Sequence, residues 1–271
     1  MQEILNYFET IPPHHRVILI ISGLTFFWII EGFIPLYRFQ YKKWKHAIPN
    51  LFFNLTLMLV NLPLAFMLLE TADWVVVNNF GIINWMPEMP VWLYGFLGLI
   101  FLDFFGAYLP HIIVHKIKPL WMVHLVHHTD HNVDTTTANR HHPFESVIRF
   151  FFTLIGVFIV GAPIGLVMLY QSLSVLATQF NHANIKLPRK VDNFISYLIV
   201  SPNMHKVHHH YVMPFTDSNY GNIFSVWDRL FGTYMELDPE KIVYGVDVFP
   251  NEKENSNIKD LLVQPFQKYK K

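Results

Sequence analysis

Cysteine is absent from the 271 residues. That excludes disulfides, thiolate zinc sites, cysteine-held iron–sulfur clusters and a cysteine nucleophile, so any bound metal must be held by nitrogen or oxygen. Charge is also scarce: Asp, Glu, Lys and Arg make up 15% of the chain, and twenty basic side chains balance twenty acidic ones. With no basic face to track phosphates, no nucleic-acid partner is expected. There is no HExxH, no Glu-x-x-His, no GxGxxG and no haem motif, which removes zinc peptidases, soluble di-iron bundles and built-in nicotinamide, flavin or haem modules. No internal repeat or low-complexity tract is visible, and residues 1–271 read as a single domain. What fills the chain is apolar. Hydrophobic residues reach 52%, with 25 Phe, too apolar for an ordinary soluble domain and natural for a membrane protein.

Three apolar runs are long enough to cross a bilayer, for which roughly 20 helical residues are needed. They extend from about Val17 to Tyr37, Leu51 to Leu69 and Val91 to Leu109. A fourth block, Val147 to Phe180, is too long for one straight span, and Gly161-Ala162-Pro163 near its middle favours a turn. The expected fold is therefore all-α: three spanning helices plus a helical hairpin, with a short apolar piece, Ile195 to Val200, at the interface. Span parity then puts everything polar after the third span on one side. Arg38, Lys42, Lys43, Lys45 and a lysine-bearing tail (236–271) lie on that side, whereas Thr71 to Pro90 carries no Lys or Arg, so that side is expected to be the cytoplasm. No basic region precedes the first apolar run and no small-residue cleavage site follows it, so a cleaved signal peptide is not expected.

The polar residues on that side are dominated by histidine. Of sixteen histidines, eight fall in two windows, 111–128 and 205–209. His111 and His115 form HxxxH; His124, His127 and His128 form HxxHH; His205, His208 and His209 repeat it; His182 stands alone. Spacings of three and four put imidazoles on one face of a helix, where they can converge on metal. Imidazole suits iron, zinc, copper and nickel alike. A zinc site takes at most four protein ligands, so nine histidines fit two ions better than one. Two ions beside an apolar cavity at a membrane surface would suit activation of dioxygen against an unreactive C–H bond.

Asp103, His111-Ile-Ile-Val-His115, Leu120-Trp121-Met122-Val123-His124-Leu125-Val126-His127-His128 and Thr137-Ala138-Asn139-Arg140-His141-His142-Pro143-Phe144-Glu145 together resemble the membrane-bound fatty acid hydroxylase and sterol desaturase superfamily. The second half agrees: Gln179-Phe180-Asn181-His182-Ala183-Asn184, Pro202-Asn203-Met204-His205-Lys206-Val207-His208-His209, Asn219-Tyr220-Gly221-Asn222, and Trp227 to Tyr234. The likeness covers about residues 100–235. Ile112 departs from it, standing where many relatives have Arg after the first histidine.

The resemblance implies a multi-pass helical protein with a cytoplasmic histidine-rich cap, in a bacterial inner membrane or the endoplasmic reticulum. It also implies two metal ions, most often iron, with zinc a possible substitute in purified protein. The expected chemistry is hydroxylation of a lipid with dioxygen and electrons from a separate cytochrome, ferredoxin or reductase. Desaturation at the same centre is the close alternative. A metal transporter or sensor, or a zinc-dependent hydrolase, are more distant ones. The nine histidines are the candidate ligands. Because a ligating imidazole usually donates its other N–H to an oxygen, Asp103, Asp130, Glu145, Asp217 and Asp228 are candidate supports, with His142 behind the ligands. His131, His141 and His210 are expected at the surface or behind the site, and His14, His15 and His46 at the interface. Arg140 is expected to pair with an acid or to be solvated, and Glu31 to snorkel or pair. Gly221 is expected to supply a permissive turn backbone.

Overall fold

The computed structural model describes residues 1–268; the last two lysines of the tail lie outside the described residues. Among the described residues twelve α-helices follow one another: α1 (Gln2–Glu9), α2 (Pro13–Phe33), α3 (Lys43–Val77), α4 (Val91–Asp103), α5 (Leu109–Lys116), α6 (Lys118–His128), α7 (Pro143–Val160), α8 (Ile164–His182), α9 (Arg189–Leu198), α10 (Pro202–His208), α11 (Val226–Leu230) and α12 (Ile258–Val263). Among the described residues there is no strand, only two isolated bridges, Pro35 to Ile185 and Ile199 to Phe224. This is a multi-pass helical membrane protein. Among the described residues, four helical stretches are long and apolar enough to cross a bilayer: Pro13–Phe33, Lys43–Val77, Val91–Lys116 and Pro143–Val160.

The third of these is continuous because a π-helical turn, Phe104–Tyr108, joins α4 to α5. The join carries the helix past the expected end at Leu109 and brings His111 and His115 with it. The second span also exceeds its expected bounds. Its 35 residues are about 52 Å long at 1.5 Å per residue, against a hydrocarbon thickness of roughly 30 Å. Apolar patterning marked only the middle; the first turns of α3, with His46 and Asn50, extend beyond it to meet the histidine-rich loop.

The break expected at Gly161 is there. Gly161 closes α7 in the left-handed region at φ +79°, and its carbonyl accepts from Asn84 Nδ2 at 2.9 Å. Ile82 and Ile83 donate their N–H groups to the carbonyls of Ile159 and Val160. The apex of the α7–α8 hairpin therefore sits against the loop between the second and third spans. Chain start and hairpin meet at the same end, since the Leu5 carbonyl packs on Gly165 and the Met1 side chain on Gly95. Two ends result. One holds α1, the 78–90 loop and the hairpin apex; the other holds the loop after α2, all the histidine boxes and α9 to α12. Between them a core of Leu102, Phe150, Val157, Leu166 and Tyr170 joins the third span to the hairpin. On α9, Val191, Phe194, Tyr197 and Leu198 face outward while Asp192 and Ser196 face in, so the exposed apolar strip begins earlier than Ile195.

Candidate metal centre

Helical phase decides how the boxes meet. His111 and His115 are one turn apart on α5, and Ile117 turns the chain sharply before Pro119 opens α6, so α6 folds back and faces its histidines toward those of α5. His124 and His128 are i, i+4 on α6; His205 and His209 have the same spacing across α10 and its C-terminal cap. Ser201 fixes the start of α10 by accepting from Met204 N–H at 3.3 Å. Two sets form, each with its ring nitrogens within 4.8 Å of one another: His111, His115, His124, His128 and His208 in the first, and His127, His182, His205 and His209 in the second. Each i, i+4 pair stays within one set, and the i+3 histidine of each HxxHH box crosses to the other. The sets abut, with His128 stacked on His209 at 4.7 Å between ring centres.

The geometry within each set is that of ligands around an ion. His111 and His124 Nε2 are 3.2 Å apart; around His182 Nε2, those of His127, His205 and His209 lie at 3.1, 3.1 and 3.2 Å. Metal–imidazole bonds of about 2.0–2.1 Å give ligand-to-ligand edges of roughly 3.0–3.4 Å. The opposite ring nitrogens are pinned. His111 Nδ1–H donates to the Tyr220 carbonyl, His182 to Thr178 and His208 to Ser218, each at 2.8 Å, and His124 to Glu145 Oε1 at 2.7 Å. That tautomer leaves the Nε2 lone pairs free to face inward. Buried nitrogens without any hydrogen-bond partner include His115 Nε2, His128 Nε2 and His208 Nε2, an arrangement costly in a metal-free fold and relieved by an ion. Burial and repulsion from neighbouring imidazoles hold His128 and His209 well below the usual histidine range, and His208 at about 3. All three are neutral near pH 7, as ligation requires. The residues present fit two divalent ions bound mainly by nitrogen.

The acidic candidates divide. Glu145 is buried and accepts from both His124 and His141, and Asp217 accepts from His115 Nδ1–H at 3.2 Å. Asp103, Asp130 and Asp228 make no direct hydrogen bond to any of the nine histidines. Asp103 instead accepts from the backbone N–H groups of Ile223 and Phe224, tying their loop to the third span. Asp228 takes Tyr220 and Gly221 N–H at 2.8 Å, which fixes the carbonyl that orients His111. A Cβ on Gly221 would lie 2.8 Å from Asp228 Oδ2, so glycine serves close approach there. The left-handed residue of that turn is Asn219, at φ +50°.

Two other expectations are corrected, those for His142 and His46, and two are met, those for His141 and Arg140. His142 points away from the site, accepting from Phe144 N–H as the N-cap of α7 and reaching the Leu262 carbonyl. His141 is buried in the wall of the site, stacked on His127 at 4.5 Å and donating to Glu145 at 3.0 Å. Arg140 is buried, and the acid it pairs with is Asp130, through charge and without a direct hydrogen bond. It lies 1% exposed and donates to Val126 O near the end of α6, to Thr129 Oγ1, to Asn50 Oδ1 and to the Asn255 carbonyl. His46 is no ordinary interfacial residue. It bridges Asp130, at 2.8 Å, and Asp134, at 3.1 Å, clasping α3 to the histidine-rich loop. Burial alone would raise Asp130, but His46 and Arg140 outweigh it and hold the carboxyl well below its usual range. Glu31 pairs: it accepts from Thr135 and Asn184 N–H and meets Lys43 at 3.0 Å.

A substitution at His46 should therefore act on stability. His46→Ala leaves two buried carboxylates short of a partner, and breaking a buried pair this way costs on the order of 3 kcal/mol. The melting temperature should fall clearly while purified protein keeps its metal; an unchanged melting temperature would show that the clasp carries no load.

The two abutting histidine sets at one end of the spans could each hold a metal ion. The chain belongs to the fatty acid hydroxylase family, whose sequence model matches residues 96–233. It is 25% identical over 256 residues to the human alkylglycerol monooxygenase, covering 91% of this chain and 52% of that protein. It is 24% identical over 150 residues to an ornithine lipid hydroxylase of Rhizobium tropici, covering 55% of this chain and 44% of that protein. To methylsterol monooxygenase 2-2 of Arabidopsis thaliana the identity is 28% over 227 residues, covering 81% of this chain and 82% of that protein. The chain thus spans about half the length of the first two relatives. No solved structure matches it.

Proposed function

We propose that the protein hydroxylates a C–H bond of a membrane lipid, using dioxygen at a di-iron centre held by the nine histidines and electrons from a separate donor. The observation that carries this reading is the partition of nine imidazoles into abutting sets of five and four, each of a size to hold one ion. Iron, when bound, would supply the oxidising chemistry. The chain's own residues do the rest. Glu145, the Tyr220 carbonyl, the Thr178 carbonyl and the Ser218 carbonyl hold the imidazoles in one tautomer. A cavity beside both sets, lined by Gly106 and Ala107 of the third span and by Thr178 and Asn222, is where this reading places the reacting part of the lipid. Hydroxylation is preferred to desaturation because the named relatives are monooxygenases and hydroxylases. Comparing the lipids of a host with and without the gene tests it: one lipid class should gain the mass of one oxygen atom, and an unchanged lipid profile with metal-loaded protein present would count against it.

The histidine end is proposed to face the cytoplasm, on the strength of Arg38, Lys42, Lys43 and Lys45 at that end and the absence of Lys and Arg from residues 78–90. The natural lack of cysteine makes this easy to check. Single cysteines at the exposed positions Lys118, Lys186 and Met213 should be shielded from an impermeant reagent in intact cells, while cysteine at Trp85 or Glu88 should be labelled. The opposite pattern would invert the orientation.

A further inference from the structure

Arg149 stands two turns inside α7, about 9 Å along the helix from Pro143, in a stretch otherwise apolar enough to cross the membrane. A cation there is costly and tends to serve function. Its side chain is 45% exposed and lines the cavity that reaches the histidines, where it is the only Lys or Arg among the described residues. Arg149 Nη1 donates to His141 Nε2 at 3.2 Å. Its nearest carboxylate oxygen, Glu145 Oε1, is 3.7 Å away and already accepts from His124 and His141. A guanidinium has five N–H donors in a planar fork suited to carboxylate and phosphate, and one is used.

The geometry points to Arg149 as the residue that holds an oxyanion, phosphate or carboxylate, on the head of the lipid substrate. This rests on reading the cavity as the lipid site. The regiochemistry follows from the short path inward: Arg149 touches His141, and His141 stacks on His127 at 4.5 Å. A head held by that guanidinium leaves only the first few carbons of its chain beside the metal sets, so oxidation falls close to the head.

The test is equilibrium binding to the full-length, metal-loaded protein in nanodiscs of uncharged lipid. The probes are three single-chain amphiphiles of equal chain length ending in a phosphate, a carboxylate or an uncharged glycerol ether. Wild type should prefer an anionic probe over the glycerol ether by roughly ten- to a hundredfold, the worth of one or two charge-assisted hydrogen bonds. The tighter of the two anionic arms identifies the headgroup. Arg149→Gln should erase the preference, and Arg149→Lys should restore part of it, with metal content unchanged in both. In turnover, Arg149→Gln should raise KM for the anionic lipid with little change in kcat, a split that a merely structural role would not give. Equal preference in wild type and Arg149→Gln, as expected of a side chain that only snorkels to bulk phospholipid, would overturn the proposal, as would no preference in wild type. Because binding is read without turnover, a preference that depends on Arg149 in a protein that oxidises nothing would leave this assignment standing and sink the hydroxylase reading instead.

Discussion

His208→Ala protein should purify with markedly less metal and without measurable turnover. His208 belongs to the set of five, yet its helix neighbours His205 and His209 belong to the set of four, so its loss disturbs both sets through α10. The effect should exceed the roughly 10- to 100-fold cost of losing an outer partner of a ligand. His15→Ala is the matched control: His15 hydrogen-bonds Tyr7 at the far end of the spans and should leave metal and activity intact. Metal analysis by mass spectrometry on both proteins, purified without added metal, decides it. Full metal content in His208→Ala would remove that residue from the site and break the two-set arrangement.

Glu145→Ala should cost about 10- to 100-fold in metal affinity or activity. The carboxylate accepts from His124 at 2.7 Å and His141 at 3.0 Å, and both of these imidazoles are buried with no other acceptor for the same N–H. Without Glu145, His124 loses the bond that selects its Nδ1–H tautomer and turns its lone pair toward the metal. Glu145→Gln, which keeps an acceptor oxygen but not the charge, should fall between wild type and alanine. Competition against a chelator measures the affinity, and turnover is followed on the same preparations. Wild-type behaviour in Glu145→Ala would mean that packing alone orients His124.

Much of this arrangement was legible in the sequence, because helical periodicity acts locally. The i, i+4 spacing of His111 with His115, His124 with His128 and His205 with His209 is enough to place each pair on one face, and the apolar runs are enough to count spans. The glycine and proline at 161 and 163 marked the hairpin apex. Contacts between segments distant in the chain were not legible. Nothing local says that Glu145 rather than Asp130 reaches a site histidine, since both stand close after histidines in the sequence; Glu145 lies in the first turn of α7 and meets His124, whereas Asp130 lies just past the end of α6 and meets His46. His46 is 84 residues from Asp130 and carries no motif. His142 and His141 are adjacent, yet the turn into α7 at Pro143 sends one to cap the helix and the other into the site wall. Arg149 could have been noticed as a charge inside an apolar run. The hydropathy of the surrounding block concealed it.

The most direct measurement of the central claim is to supply heavy-isotope dioxygen to iron-loaded protein with an electron donor and membrane lipid, and to follow the lipids by mass spectrometry. One heavy oxygen atom should enter a single lipid class, and the signal should vanish with His127→Ala. A new double bond without label would assign the centre to desaturation, and unlabelled, unchanged lipid from a metal-loaded, electron-supplied preparation would contradict the account.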